Sequence, residues 1–246
     1  MTPTYFELLC SVPILVKGVG HVCSPTLRKI AQIGQEKYSR YLGILSTDLT
    51  SFLDLSGLSP LYLALPENER NRLTLFDLLT MNPGTRNLLT DLFSFFFVEN
   101  AVFQESESFY LLEPQQEGDS PGTITRENFE KVRSILLRLN YLPASNTGKT
   151  KNERAKKILE KIQRAKEKQN AYHKKDLDLS IGNMISALAS QHNSLNLLNI
   201  WDLTIYQFYD QFFRQSNKNQ LDIHALNYAV WGGEFDPAGW FKALNK

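Results

Sequence analysis

The chain has 246 residues, of which 42% are hydrophobic and 22% charged, enough apolar material for one substantial core or two small ones and too little charge for a disordered composition. Twenty-seven basic side chains stand against twenty-six acidic ones, so a net charge of +1 gives no general attraction to nucleic acid or to an anionic membrane. Cys10 and Cys23 are too few for a disulfide framework and have no zinc-ligand spacing, which fits a reducing compartment.

The opening residues carry no basic stretch, and the apolar run from Leu8 to Val16 is broken by Ser11 and Pro13, so neither a signal peptide nor a membrane span is expected. Gly18 and Gly20 lie between β-branched residues in Pro13 to Cys23, a pattern for two short strands around a glycine turn. Ser24-Pro25 then reads as a cap and first helical position, followed by a helical face through Leu27, Ile30, Ala31, Gly34, Tyr38 and Tyr41.

From Leu45 to Leu92, Asp, Ser, Pro and Asn punctuate short leucine clusters, which predicts several short helices. Phe103 and Phe109 to Leu112 suggest a hairpin or small sheet, and Gln115 to Gly122 reads as an internal loop or boundary. Two regions are therefore expected: 1–117, mixed but mostly helical, and 123–246, helical, with a basic helix and an aromatic terminal segment. Thr125 is placed to cap a helix bearing Phe129, Val132, Ile135, Leu136 and Leu139, which Pro143 ends.

Thr147-Gly148-Lys149-Thr150 has the ending of a phosphate-binding loop, but Pro143 stands where the first glycine is required and no strand precedes it, so an ordinary loop is expected. Lys151 to Lys175 holds eight lysines and two arginines against three glutamates, a net +7. Ala155, Ile158, Leu159, Ile162 and Ala165 make it an amphipathic helix, with Glu153 and Glu160 one turn before Lys157 and Arg164. Its lysines suit a solvated face or an acidic protein partner. Nucleic acid is not expected, because no aromatic stacking series or recognition module accompanies them.

Ser180 is a candidate cap for the helix carrying Met184, Ile185 and Leu188, and Asp202 for the aromatic helix carrying Ile205, Tyr206, Tyr209, Phe212 and Phe213. Gly232-Gly233 reads as the helix stop and Asp236-Pro237 as a further cap. These rings serve either a core or a docking surface, with Tyr206 and Tyr209 suited to an amphipathic rim because each buried hydroxyl needs a partner. The four histidines are widely separated, Asp202 and Asp210 read as a cap and a solvent-exposed or surface ion-pair residue, and Ser11, Ser39 and Ser180 have no nucleophile elbow. The expected fold is mainly α, a multi-helix soluble protein with a small β hairpin or sheet element near the N-terminus. No enzyme activity, cofactor or metal is expected.

Beyond these local patterns, the chain resembles a family of bacteriophage proteins encoded among tail genes in phages of Gram-positive bacteria. The resemblance is carried by Pro25 to Gly34 with Tyr38 and Tyr41, Glu127-Asn128-Phe129, Asn152 to Lys156, Leu203 to Phe212, and Trp231 to Asp236. It implies a tail assembly factor with chaperone character, acting in the host cytoplasm during virion assembly, or a minor structural component of the virion tail or neck. The implied partner is a tail or tape-measure protein, or a second copy in a homo-oligomer, with no membrane. The protein-binding residues expected on this reading are Tyr206, Tyr209 and Phe213, with Lys157, Lys161 and Lys168 as electrostatic support. A nucleic-acid-binding adaptor is a further alternative.

Overall fold

The computed structural model describes residues 3–104, 108–112, 122–143 and 180–241, and over these the chain is mainly α. Residues 147–150 and the basic stretch 151–175 lie outside the described residues. The chain divides into two compact units, Met1–Ser145 with Trp201–Tyr209, and Asn146–Ile200 with Asp210–Lys246.

The first unit starts with α1 (Tyr5–Leu9), closed by a capping box between Thr4 and Glu7. Strands β1 (Ile14–Val16) and β2 (Gly20–Val22) form the antiparallel hairpin that the glycines predict, with Ile14 opposite Val22 and Val16 opposite Gly20. Gly18 turns the hairpin at φ +77°, a conformation open to glycine at little cost. Period-two alternation buries Val16 and Val22 while Leu15 faces out.

The expected single helix after Pro25 is two: α2 (Leu27–Ile33) and α3 (Gln35–Ser46), separated by Gly34 at φ +84°. The N-cap of α2 is Thr26, whose hydroxyl accepts the Lys29 N–H, and not Ser24. Five short helices follow: α4 (Leu49–Leu55), α5 (Ser59–Ala64), α6 (Glu67–Arg70), α7 (Leu75–Met81) and α8 (Pro83–Phe96). Then β3 (Asn100–Gln104), β4 (Ser108–Leu112) and β5 (Gly122–Ile124) form an antiparallel sheet in that order, and α9 (Phe129–Leu139) completes the core.

The core of this unit is a phenylalanine cluster built from the buried stripe of α8 and the inner face of the sheet. Phe109 meets Phe93 at 4.9 Å, Phe103 at 5.0 Å and Phe76 at 6.0 Å between ring centroids, and Phe76 meets Phe129 at 5.2 Å. Each fully buried ring contributes roughly 1.5–3 kcal/mol, so these contacts dominate the unit. Seven of the eleven residues of α9 are buried, and Arg133 is among them despite its charge. The cap of α9 is Asn128, whose side chain accepts the Thr125 N–H, so the helix begins three residues after the expected Thr125.

The stretch expected as a boundary, 117–123, runs into β5. Strand β4 pairs with β5 across it, and Tyr38 of α3 donates a 2.6 Å hydrogen bond to Asn140 just past α9, tying residues 122–140 into the first unit.

The second unit holds α10 (Ile181–Gln191), capped by Ser180 as expected, and α11 (Ile205–Trp231), whose first turn belongs to the first unit. Gly232, at φ +72°, stops α11 after Trp231. The chain then returns antiparallel along α11. Phe235 stacks on Tyr228 at 5.8 Å, Asn217 donates to the Gly239 carbonyl at 3.3 Å, and Gly239 lies so close to Leu221 that a Cβ would meet its methyl at 2.8 Å. Among the described residues no helix is long and apolar enough to cross a membrane.

Candidate protein-binding site

Helix α11 does not start from Asp202. Its cap is Thr204, in a reciprocal box: the Thr204 N–H donates to the Gln207 side chain at 2.8 Å, and the Thr204 hydroxyl accepts the Gln207 N–H at 3.2 Å. Two strand-like bonds, Leu27 N–H to Leu203 and Ile205 N–H to Pro25, fix this position, and they turn Asp202 toward Arg28, with which it forms a 2.8 Å ion pair.

That anchoring decides the fate of the aromatic residues. Tyr206 is buried at 3% exposure, its ring packed on Tyr5 and Tyr141 at 6.4 and 5.2 Å, a core position for a ring expected at a rim. Tyr209 is half-buried against Tyr141 and Phe208, and burial pushes its phenol above the ordinary value. Phe213, at 42% exposure, is the one of the three presented to solvent, beside Phe212. Lys157, Lys161 and Lys168 lie outside the described residues. Asp210 is buried at 1% and pairs with Arg214 at 2.9 Å, not with solvent.

The second unit presents its apolar surface further along. Ile223, Leu226 and Val230 recur at helical spacing and are 59, 67 and 67% exposed, and Trp231 at the end of the helix is 84% exposed. Trp240 and Phe241 on the returning segment are 63 and 76% exposed. Periodicity alone does not tell a covered stripe from an exposed one, and among the described residues Ile223, Leu226 and Val230 are exposed.

Between α11 and the returning segment lies a cleft of about 510 Å³ with Leu221 and Ala225 on one wall and Phe235, Pro237 and Trp240 on the other. Its cations are matched by acids: Arg214 pairs with Asp210 and Lys218 with Asp222 at 2.7 Å. A nearly neutral cleft with apolar walls, bordered by His192 and by exposed aromatic and aliphatic side chains, has the composition of a protein-recognition surface.

Sequence distance conceals one part-buried polar pair, His21 and Glu99. The Glu99 carboxylate, 4% exposed, accepts the His21 backbone N–H at 2.9 and 3.0 Å and His21 Nδ1–H at 2.8 Å. It lies under Gly20, where a Cβ would approach it to 3.0 Å. A carboxylate-oriented imidazole is half of a catalytic arrangement, but the nearby Cys23 thiol is pushed up by burial, away from the nucleophilic thiolate. The pair therefore ties the hairpin to the chain entering β3. Among the described residues no group of three histidine, cysteine or carboxylate side chains is placed to hold a metal.

Residues 167–245 match the model of the YomV second domain. YomV is a protein of a Bacillus phage region, and the match gives weak support for a phage-derived protein. The matched stretch contains the described cleft and the exposed end of α11. Neither the curated proteins nor the solved structures contain a significant match.

Proposed function

We propose that this protein is a phage tail assembly factor that captures a tail subunit, the tape-measure protein, through non-catalytic contacts of its second unit. The observation that carries the reading is the uncovered apolar surface of Leu226, Val230, Trp231, Trp240 and Phe241 within the phage-associated stretch. Large aromatic side chains held on a helix end and a short turn supply contact area at small entropic cost, as interface anchors do. On this reading the partner presents an aggregation-prone apolar or coiled-coil surface during virion construction. Capture would shield that surface in the host cytoplasm and release it as tube subunits add.

The test is coexpression with the phage tail genes, followed by affinity purification and by protein composition of finished tails. Copurification with the tape-measure protein and absence from finished tails is the expected result. Stable incorporation into purified tails would replace this reading with a minor structural role. A triple substitution of Leu226, Val230 and Trp231 to serine is expected to leave a folded protein and reduce capture at least about tenfold. Undiminished capture by that variant would reject the assigned surface.

A further inference from the structure

The first unit carries a cleft of different character. It encloses about 600 Å³, is walled by Leu73, Met81 and Phe103, and is rimmed by Arg72, Arg86 and Arg126. The acids nearby are unequally engaged. Asp77 Oδ2 accepts the Thr74 N–H at 2.7 Å and hydroxyl at 2.8 Å as the capping box of α7, and pairs with Arg126 at 3.1 Å. Asp77 and Arg126 therefore satisfy each other. Glu69 sits on the rim one turn before Arg72.

Arg72 and Arg86 have no carboxylate partner among the described residues. The Arg86 guanidinium lies over the Phe103 ring, 4.9 Å from its centroid. Stacking on a ring holds a guanidinium in one plane and leaves its N–H edge, the part that forks onto a carboxylate, available for bonding. An arginine held this way loses less freedom on binding than a solvated one.

We infer that this cleft receives an acidic, partly apolar segment of another protein, with a glutamate or aspartate carboxylate forked onto Arg86 and supported by Arg72. Apolar neighbours in that segment rest on Leu73, Phe103 and the exposed, adaptable Met81. Charge decides between a carboxylate and a phosphate polymer. Three arginines against Glu69 and Asp77 leave a net +1, which suits a single carboxylate and gives little attraction to a polyphosphate or nucleic-acid backbone. At the helix start beside the cleft the capping box takes up the Thr74 and Asp77 N–H groups and places the Asp77 carboxylate there, which opposes a phosphate. This inference stands independently of any role in tail assembly.

The test is fluorescence anisotropy on the full chain with a labelled ten-residue synthetic peptide of glutamate, leucine and serine, against the same peptide with glutamine for glutamate. The glutamate peptide should bind, the glutamine peptide about tenfold more weakly or worse, and Arg86→Gln should cost a similar factor. Arg86→Lys keeps the charge but loses the fork and should weaken binding severalfold. Arg72→Gln, at an exposed position that leaves the fold intact, should weaken it by a smaller factor. Equal binding of both peptides, or no loss in Arg86→Gln and Arg72→Gln, overturns the inference. So does displacement of the peptide by inorganic triphosphate or a single-stranded oligonucleotide at lower concentration than unlabelled peptide, which would assign the cleft to phosphate.

Discussion

Arg133 offers the sharpest test of how the first unit is held together. It is 2% exposed, and its guanidinium reaches the C-terminal end of α3, donating from Nε to the Leu45 carbonyl and from Nη2 to the Thr47 carbonyl, both at 2.7 Å. Nη1 donates to both oxygens of Glu130 at 3.0 Å. A helix ends with carbonyls that no N–H of its own can reach, and here a neighbouring helix supplies the donors. Replacing Arg133 with methionine keeps much of the volume and strands those carbonyls. Hydrogen bonds to a charged group are each worth about 1.5–3 kcal/mol, and because Thr47 is only half-buried water can restore part of its share. The expected loss is about 2–4 kcal/mol. Glu130 is 51% exposed, so Glu130→Gln should cost about 1 kcal/mol or less, with solvent replacing much of the ion pair. Urea unfolding can be followed in the first unit alone by Trp201 fluorescence, with the exposed Trp231 and Trp240 replaced by phenylalanine. A loss below about 1 kcal/mol for Arg133→Met, or an equal loss in the two variants, would show that the carbonyl bonds do not carry the stabilisation.

Two further predictions probe the same unit. Gly122→Ala should destabilise it by at least about 1–3 kcal/mol, because a Cβ there would stand 1.9 Å from the Val19 carbonyl oxygen and force the hairpin turn off β5; an unchanged urea midpoint would contradict the close approach. Burial holds the Tyr38 phenol far above its ordinary value of 10.0, so folding favours the neutral form: the stability this provides is complete below pH 10 and is lost as pH rises through the folded-state value. Tyr38→Phe should therefore flatten the alkaline loss of stability, while costing about 1–2 kcal/mol at neutral pH by orphaning the Asn140 side-chain oxygen, and urea midpoints measured from neutral to alkaline pH read both.

Features set by neighbouring residues are legible in the sequence. The glycine stop after Trp231, the Ser180 cap, the hairpin around Gly18 and the run of short helices before Phe97 all depend on local backbone chemistry. The features that escape are fixed across long sequence separations. Whether Asp202 or Thr204 opens α11 is decided by pairing with Pro25 and Leu27, far away in the chain. Glu99 and His21 are unremarkable until the fold brings them together, and Tyr206 becomes a core ring because Tyr5 and Tyr141 close over it. A polar stretch such as Gln115 to Gly122 reads the same in the sequence whether it joins two domains or leads into a paired strand.

Helix α11 shows why the substitutions proposed for the capture test can separate binding from folding. Its first turn carries Ile205, Tyr206 and Phe208 at 0, 3 and 0% exposure, so apolar side chains there already gain their burial on folding. Its last turns carry Leu226, Val230 and Trp231 at 67, 67 and 84% exposure, where the same chemistry has gained little. Replacing buried residues removes contacts and leaves cavities, costing about 2–5 kcal/mol each, whereas the exposed ones have little packing to lose. The Leu226, Val230 and Trp231 serine variant should thus unfold within about 0.5 kcal/mol per site of the parent, monitored by helical circular dichroism in urea. Its apolar surface would be withdrawn from a partner without being withdrawn from a core. A large stability loss together with lost capture would mean that these side chains are buried within the folded protein in solution, and the proposed binding surface would fall with that result.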